Sequence, residues 1–188
     1  MSRESQYPGY DVWEEHQEWD EHTRSIVMKR KTPQVIYQYL NSEEAMTLQA
    51  AIYLLVDDQR LEVTTYVLQH LDESLASEIG ESQRKQDVLV QKALFRDGLG
   101  RMELLSHQAY GTNFVTLKWD QQTEVLRATE QEYPEFFKKL LKKVVEAYYS
   151  HPIVWSDIGY GGPAYPRGYV RVEKGLVDPW EAKKNGKS

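Results

Sequence analysis

The sequence contains no cysteine. Without thiolates the chain has no disulfide, no thiol nucleophile, no zinc ribbon, no iron–sulfur ligands and no C-x-x-C-H attachment for a c-type haem. Long apolar runs are missing too. The longest is Ala50 to Val56, whereas a membrane-spanning helix takes roughly 20 residues. These absences exclude most electron carriers and predict a chain that does not cross a bilayer.

Positive charge is also scarce, with 23 Lys and Arg against 29 Asp and Glu and a formal net charge of -6. Binding along a nucleic-acid backbone requires clustered basic residues, so nucleic acid is not an expected partner. The first ten residues are polar, with neither an apolar signal core nor a twin-arginine pair. We therefore expect a cytoplasmic location, with export or peripheral membrane association as part of a complex as the alternative.

What the sequence does contain is apolar residues at helical spacing. This periodicity predicts an all-α fold, a single-domain bundle of about five to six helices. The predicted helices cover 20–30, 42–56, 61–75, 88–107, 120–130 and 134–148, with a loop at 77–86. Asn41 and Glu44 form a capping-box pattern, Asp120 is expected to cap its helix, and Pro134 stands in a first turn. Gly98 and Gly100 suggest a kink or a close helix crossing.

The composition changes after Ser150, where proline and glycine become frequent and preclude long regular structure. Aromatic residues alternate with them, whereas disordered segments are poor in aromatics. We therefore divide the chain into a helical bundle with an N-terminal extension, 1–150, and an irregular arm, 151–188. The arm is expected to be ordered and to pack on the bundle or on a partner.

Two patterns suggest a ligand site, but a structural explanation is favoured for each. Gly159 to Pro163 is rich in glycine like a phosphate-binding loop, yet no strand precedes it and no Gly-Lys-Ser/Thr follows. A tight turn that lets the backbone approach a partner surface is the preferred interpretation. His16, Asp20 and His22 have a spacing compatible with a metal site, but the surrounding glutamates favour a solvated acidic surface.

His151 stands between Tyr149 and Trp155, at the end of the last predicted helix. One interpretation is that His151 acts on a substrate with nearby tyrosines and carboxylates, which would make the chain a stand-alone enzyme or ligand-binding protein. The favoured interpretation is a helix C-cap, with Pro152 ending the helix. On the helix 134–148 a lysine face suggests either an anionic membrane or, preferably, lysine stems covering a core-facing helix.

Residues 146–171 read EAYYSHPIVWSDIGYGGPAYPRGYVR. This stretch resembles the gluconate 2-dehydrogenase subunit 3 family, and the resemblance extends over about residues 20–180. Its specific part lies in the arm. The residues that carry it fall in three groups: Leu40, Glu43, Glu44, Ala45 and Leu48; Phe114, Leu117, Gln121 and Gln122; and Tyr148, Tyr149, Pro152, Trp155, Gly159, Tyr160, Gly162 and Pro163.

The resemblance implies a small subunit that does no chemistry and that supports the folding, stability or export of a larger one. It implies that FAD is held by this partner, a glucose-methanol-choline type sugar or polyol dehydrogenase, often with a further electron-transfer subunit. No catalytic, cofactor-binding or metal-binding residue is expected in this chain. We expect the partner interface to comprise Tyr148, Tyr149, His151, Trp155, Tyr160, Gly161, Gly162, Pro163, Tyr165, Arg167, Tyr169 and Trp180.

Overall fold

The structure is a computed structural model, and it describes residues 5–33, 36–77, 90–170 and 177–183. These residues form seven α-helices and two 3-10 helices and no strand, which confirms the all-α prediction. The α-helices are α1 (Glu21–Lys31), α2 (Ser42–Val56), α3 (Leu61–Ala76), α4 (Gln91–Tyr110), α5 (Trp119–Glu132), α6 (Pro134–Tyr148) and α7 (Pro152–Ile158). The 3-10 helices are Val12–Glu18 and Phe114–Thr116.

The start of α2 forms as its sequence predicts. The Asn41 side chain accepts a hydrogen bond from the Glu44 N–H at 2.8 Å, and the Glu44 carboxylate accepts one from the Asn41 N–H at 3.0 Å. This reciprocal pair satisfies two N–H groups that the first turn of a helix leaves without partners. At α1, Asp20 accepts from the Thr23 N–H at 2.8 Å, so this helix also begins where the sequence places it.

The main core lies between α2, α3, α4, α5 and α6. Phe136 from α6 lies edge-on to Phe95 from α4, with ring centroids 5.5 Å apart. A Cβ atom added to Gly98 would lie 2.2 Å from the Phe136 ring, so only glycine permits this crossing. The prediction of a close helix crossing is therefore confirmed at Gly98. At Gly100 a Cβ would meet nothing within 4 Å.

Other boundaries differ from the predicted ones. Helix α4 continues to Tyr110 and ends at Gly111, whose left-handed φ of 73° stops the helix. Asp120 does not cap α5. The helix begins one residue earlier, and the Gln121 side chain instead accepts a hydrogen bond from the N–H of Lys118. The predicted loop lies outside the described residues except for its first residue, Ser77.

The N-terminal extension forms a second, smaller apolar cluster. Val12 and Trp19 from this extension pack with Val27 of α1 and Trp155 of α7. The Val12 N–H donates to the Ser156 hydroxyl at 3.1 Å. The extension and α7 therefore stabilise each other beside the main core. Among the described residues, no helix is both long and apolar enough to span a membrane.

Candidate partner interface

The junction between α6 and α7 is held by buried hydrogen bonds. The hydroxyl groups of Tyr66 and Ser150 lie 2.8 Å apart, and Arg30 donates to the Ser150 carbonyl at 2.8 Å. The Trp155 indole N–H donates to the Tyr149 carbonyl at 2.6 Å. These bonds hold the three residues between α6 and α7, and α7 packs against the 3-10 helix Val12–Glu18 of the N-terminal extension.

His151 is fully buried at this junction. Its Nδ1 accepts a hydrogen bond from the Ile153 N–H at 3.3 Å, so His151 caps the N-terminus of α7. The predicted cap of the preceding helix is therefore wrong. Pro152 occupies the first turn of α7, where its lack of an N–H breaks no helical hydrogen bond. The same proline therefore follows the end of α6 and begins α7. A proline shortly after a helix is compatible both with the end of that helix and with the first turn of a new one, so the local sequence does not distinguish the two.

Burial lowers the pKa of His151 to about 4; a hydrogen bond to the Arg30 backbone opposes this shift, and the charges of Arg60, Arg30 and Lys31 act with burial. Between this value and the ordinary histidine pKa of about 6.5, the unfolded chain binds a proton that the folded chain does not. The free energy of unfolding should therefore fall by up to about 3 kcal/mol as the pH drops from 6.5 to 4.

Urea unfolding at several pH values measures this effect. His151→Asn keeps a capping acceptor and should reduce the pH dependence in that window, where His70, whose pKa is also lowered by burial, contributes in the same direction. Asp58 also has a lowered pKa. Because it is a carboxyl group, its contribution to the free energy of unfolding is lost only below about pH 4, outside this window. A variant with the same slope as the parent between pH 6.5 and 4 would contradict the assignment.

An ion-pair cluster connects α7 to the bundle. Nη2 of Arg60 lies 2.6 Å from the carboxylates of both Asp58 and Asp157. The buried Tyr148 hydroxyl donates to Asp58 at 2.9 Å. Burial would raise the pKa of Asp58, but the hydrogen bonds from Arg60 and Tyr148 outweigh it and hold that pKa below its usual value. The cluster fixes α7 relative to the loop between α2 and α3.

The glycine-rich turn after α7 packs against aromatic rings of the same chain. A Cβ at Gly159 would lie 2.6 Å from the Tyr7 ring, one at Gly161 would lie 2.5 Å from Trp180, and one at Gly162 would lie 2.7 Å from Trp19. The backbone approach predicted for this turn is thus made to the chain's own side chains, from the extension and from the end of the arm.

Arg167 links the two ends of the arm. Its guanidinium lies over the Trp180 ring, 4.4 Å from the centroid, and donates to the Gly161 carbonyl. The Nε and Nη1 atoms of Arg167 are buried and have no hydrogen-bond partner among the described residues. Burial lowers the pKa of Arg167, although Glu15 and Tyr10 oppose this shift. A carboxylate is the group that best satisfies such a guanidinium.

The structure divides the twelve predicted interface residues by exposure. The inner group is buried and consists of Tyr148, His151, Trp155, Gly161 and Gly162. Pro163, Arg167 and Trp180 are partly exposed. The outer group consists of Tyr149, Tyr160, Tyr165 and Tyr169, all of which are exposed. We name the outer group the tyrosine face.

The sequence interpretation missed three exposed aliphatic residues in the same part of the chain, namely Ile158, Val170 and Val177. Ile158 lies between Asp157 and Gly159, Val170 follows Tyr169, and Val177 follows Leu176. None of the three belongs to a run with helical or strand periodicity. The sequence interpretation also missed the aromatic residues of the N-terminal extension, Tyr7 and Trp19, which cover the glycine-rich turn. The only signal for them was the density of aromatics before residue 20.

His16, Asp20 and His22 have separate roles. His16 stacks on Trp13, and its Nδ1 lies 2.7 Å from the Trp13 carbonyl. Asp20 caps α1, and His22 is exposed. In the described part of the chain no three histidine or acidic side chains are grouped as metal ligands would be.

Fold and surface together define an all-helical bundle with a buried histidine, a glycine-rich turn packed against aromatic rings of the same chain, and four exposed tyrosines in and beside the arm. The chain belongs to the family described as Gluconate 2-dehydrogenase subunit 3, whose sequence model matches residues 33–162. The match covers α2 to α7 and ends within the glycine-rich turn. The N-terminal extension and residues 177–183, which cover that turn, lie outside it. No curated protein and no solved structure matches the chain.

Proposed function

We propose that this chain is the non-catalytic small subunit of an FAD-dependent sugar or polyol dehydrogenase of the glucose-methanol-choline type. In this proposal the large subunit holds FAD and carries out the oxidation, and the small subunit binds it through the tyrosine face. The role of the small subunit is to stabilise or mature the large one. Membership of the subunit family supports this assignment to a dehydrogenase complex.

The observation that carries the proposal is the exposure of four tyrosines next to buried residues of the arm. Tyr165 is 68% exposed and Tyr169 is 63% exposed, while Trp155 and the glycines of the turn after α7 are buried. Tyrosine combines a large apolar area with a polar hydroxyl and loses little conformational entropy on binding, so it is enriched at binding hot spots. A face that is already ordered has a smaller entropic cost of association than a disordered tail.

The alternative, a stand-alone enzyme using His151 and Tyr149, is not supported by the geometry. The two side chains belong to different environments, since His151 is fully buried and Tyr149 is half exposed. A general base needs a pKa near the working pH and access to the substrate. His151 has a pKa of about 4 and its ring packs on Tyr66, with centroids 5.2 Å apart.

Co-expression with a candidate FAD-dependent dehydrogenase large subunit of the glucose-methanol-choline type tests the proposal. We expect a stable complex whose flavin absorbance belongs to the large subunit, whereas the small subunit purified alone should have no visible chromophore. The large subunit expressed alone should be recovered in lower yield. A dehydrogenase that folds, retains FAD and does not associate with the chain would refute the proposal, as would flavin or haem in the isolated chain.

A further inference from the structure

A groove lies along α2, on elements other than those that carry the tyrosine face; α4 lines one part of it and Leu68 of α3 lines the other. It consists of two adjoining hollows of about 370 and 400 Å³. Met46 and Val115 line both hollows and form the ridge between them. Met46 is 53% exposed, although methionine is an apolar side chain. The groove therefore offers apolar contact area that the described chain does not cover.

Gly100 lines the first hollow and is unusual for a residue in the middle of a helix. A glycine in this position weakens the helix relative to alanine. Gly98 is required by the Phe136 ring, but a Cβ at Gly100 would meet no atom of the described residues within 4 Å. Internal packing thus gives no reason for this glycine. A partner that approaches the backbone of α4 would give one.

The two hollows also present specific polar groups. Glu43, Glu44 and Glu103 line the first hollow, and of these Glu44 pairs with Arg96 at 2.9 Å. Glu103 is held in place, because it accepts hydrogen bonds from the Thr47 hydroxyl at 2.5 Å and from the Phe114 N–H at 3.0 Å. In the second hollow, the buried Nε2 of Gln49 has no acceptor among the described residues.

We propose that this groove binds a peptide segment of the dehydrogenase large subunit, so that the small subunit contacts its partner at two places. The segment would place an apolar side chain in each hollow and a lysine or arginine beside Glu43 and Glu103. One of its backbone carbonyls would accept the Gln49 N–H. The acidic groove selects a basic segment by charge complementarity. This proposal rests on the proposed function, because the occupant is part of the same partner.

The Gly100→Leu variant distinguishes an effect on binding to the large subunit from an effect on folding of the chain. Leucine is a stronger helix former than glycine and would point into open space, so the isolated chain should melt at the same or a higher temperature. The same side chain would fill the first hollow, and we expect the affinity for the large subunit to fall at least tenfold. Glu43→Lys should also weaken binding, because the new lysine would repel the basic residue of the segment. Gln131→Leu, at an exposed position of α5, is the matched control and should leave both values unchanged.

A photo-crosslinker at position 46 identifies the occupant. Crosslinks to a segment of the large subunit that contains basic and apolar residues would support the proposal. If the parent chain binds the large subunit and Gly100→Leu binds equally well, the groove proposal is wrong while the proposed function stands. Crosslinks only to a second copy of this chain would also overturn it. If the parent chain does not bind the large subunit at all, the proposed function itself fails.

Discussion

Trp155→Ala should lower the free energy of unfolding by about 4 kcal/mol, the range found when a large buried aromatic side chain is removed. Trp155 is 5% exposed and packs with Val12 and Trp19 of the N-terminal extension. Its ring lies edge-on to Tyr160 with centroids 5.5 Å apart. The substitution therefore removes apolar contacts on both sides of α7 and also the indole hydrogen bond to Tyr149.

Thermal or urea unfolding of the isolated chain measures this effect. For a chain of this size, 4 kcal/mol corresponds to a decrease in Tm of roughly 10 °C. Trp119→Ala is the matched control, because Trp119 is 41% exposed at the start of α5. It should cost less than about 1 kcal/mol. Equal stability of the two variants would show that α7 and the extension do not pack as described.

The helices of the bundle could be predicted from the sequence because local rules determine them. In α2, the capping pair and the apolar stripe act within one element, and both helix ends were predicted correctly. The cap of α5 was predicted wrongly because Asp120 has the residue type of an N-cap, whereas the helix begins at Trp119 after Lys118 and Gln121 bonds back to the Lys118 N–H. The path of the preceding turn decides where the helix begins. Local sequence does not specify that path.

The support of the tyrosine face could not be predicted, because it depends on contacts between distant parts of the chain. Gly162 and Trp19 are far apart in sequence, and no periodicity relates them. The role of His151 was predicted wrongly for a similar reason. Its sequence context of a helix end followed by proline describes the C-cap of α6 and the N-cap of α7 equally well. The resemblance pointed to the arm but did not indicate which of its residues are exposed.

The tyrosine face gives the second large expected effect. Replacing Tyr165 and Tyr169 together by alanine should weaken binding to the dehydrogenase by at least about 2 kcal/mol, roughly thirtyfold in Kd. Because both side chains are exposed, their removal leaves few contacts unfilled within the chain. The stability of the isolated chain should then change by less than about 1 kcal/mol. Loss of affinity without loss of stability is the property of an interface residue.

The most direct test of the central claim is the Kd of the purified large subunit for the parent chain and for the Tyr165→Ala/Tyr169→Ala variant, measured by titration calorimetry. Trp119→Ala serves as the control for loss of an exposed aromatic residue elsewhere. The account predicts that the double variant binds at least thirtyfold more weakly, while Trp119→Ala binds like the parent. A double variant that folds normally and binds with the parent's Kd would contradict the assignment of the tyrosine face as the partner interface.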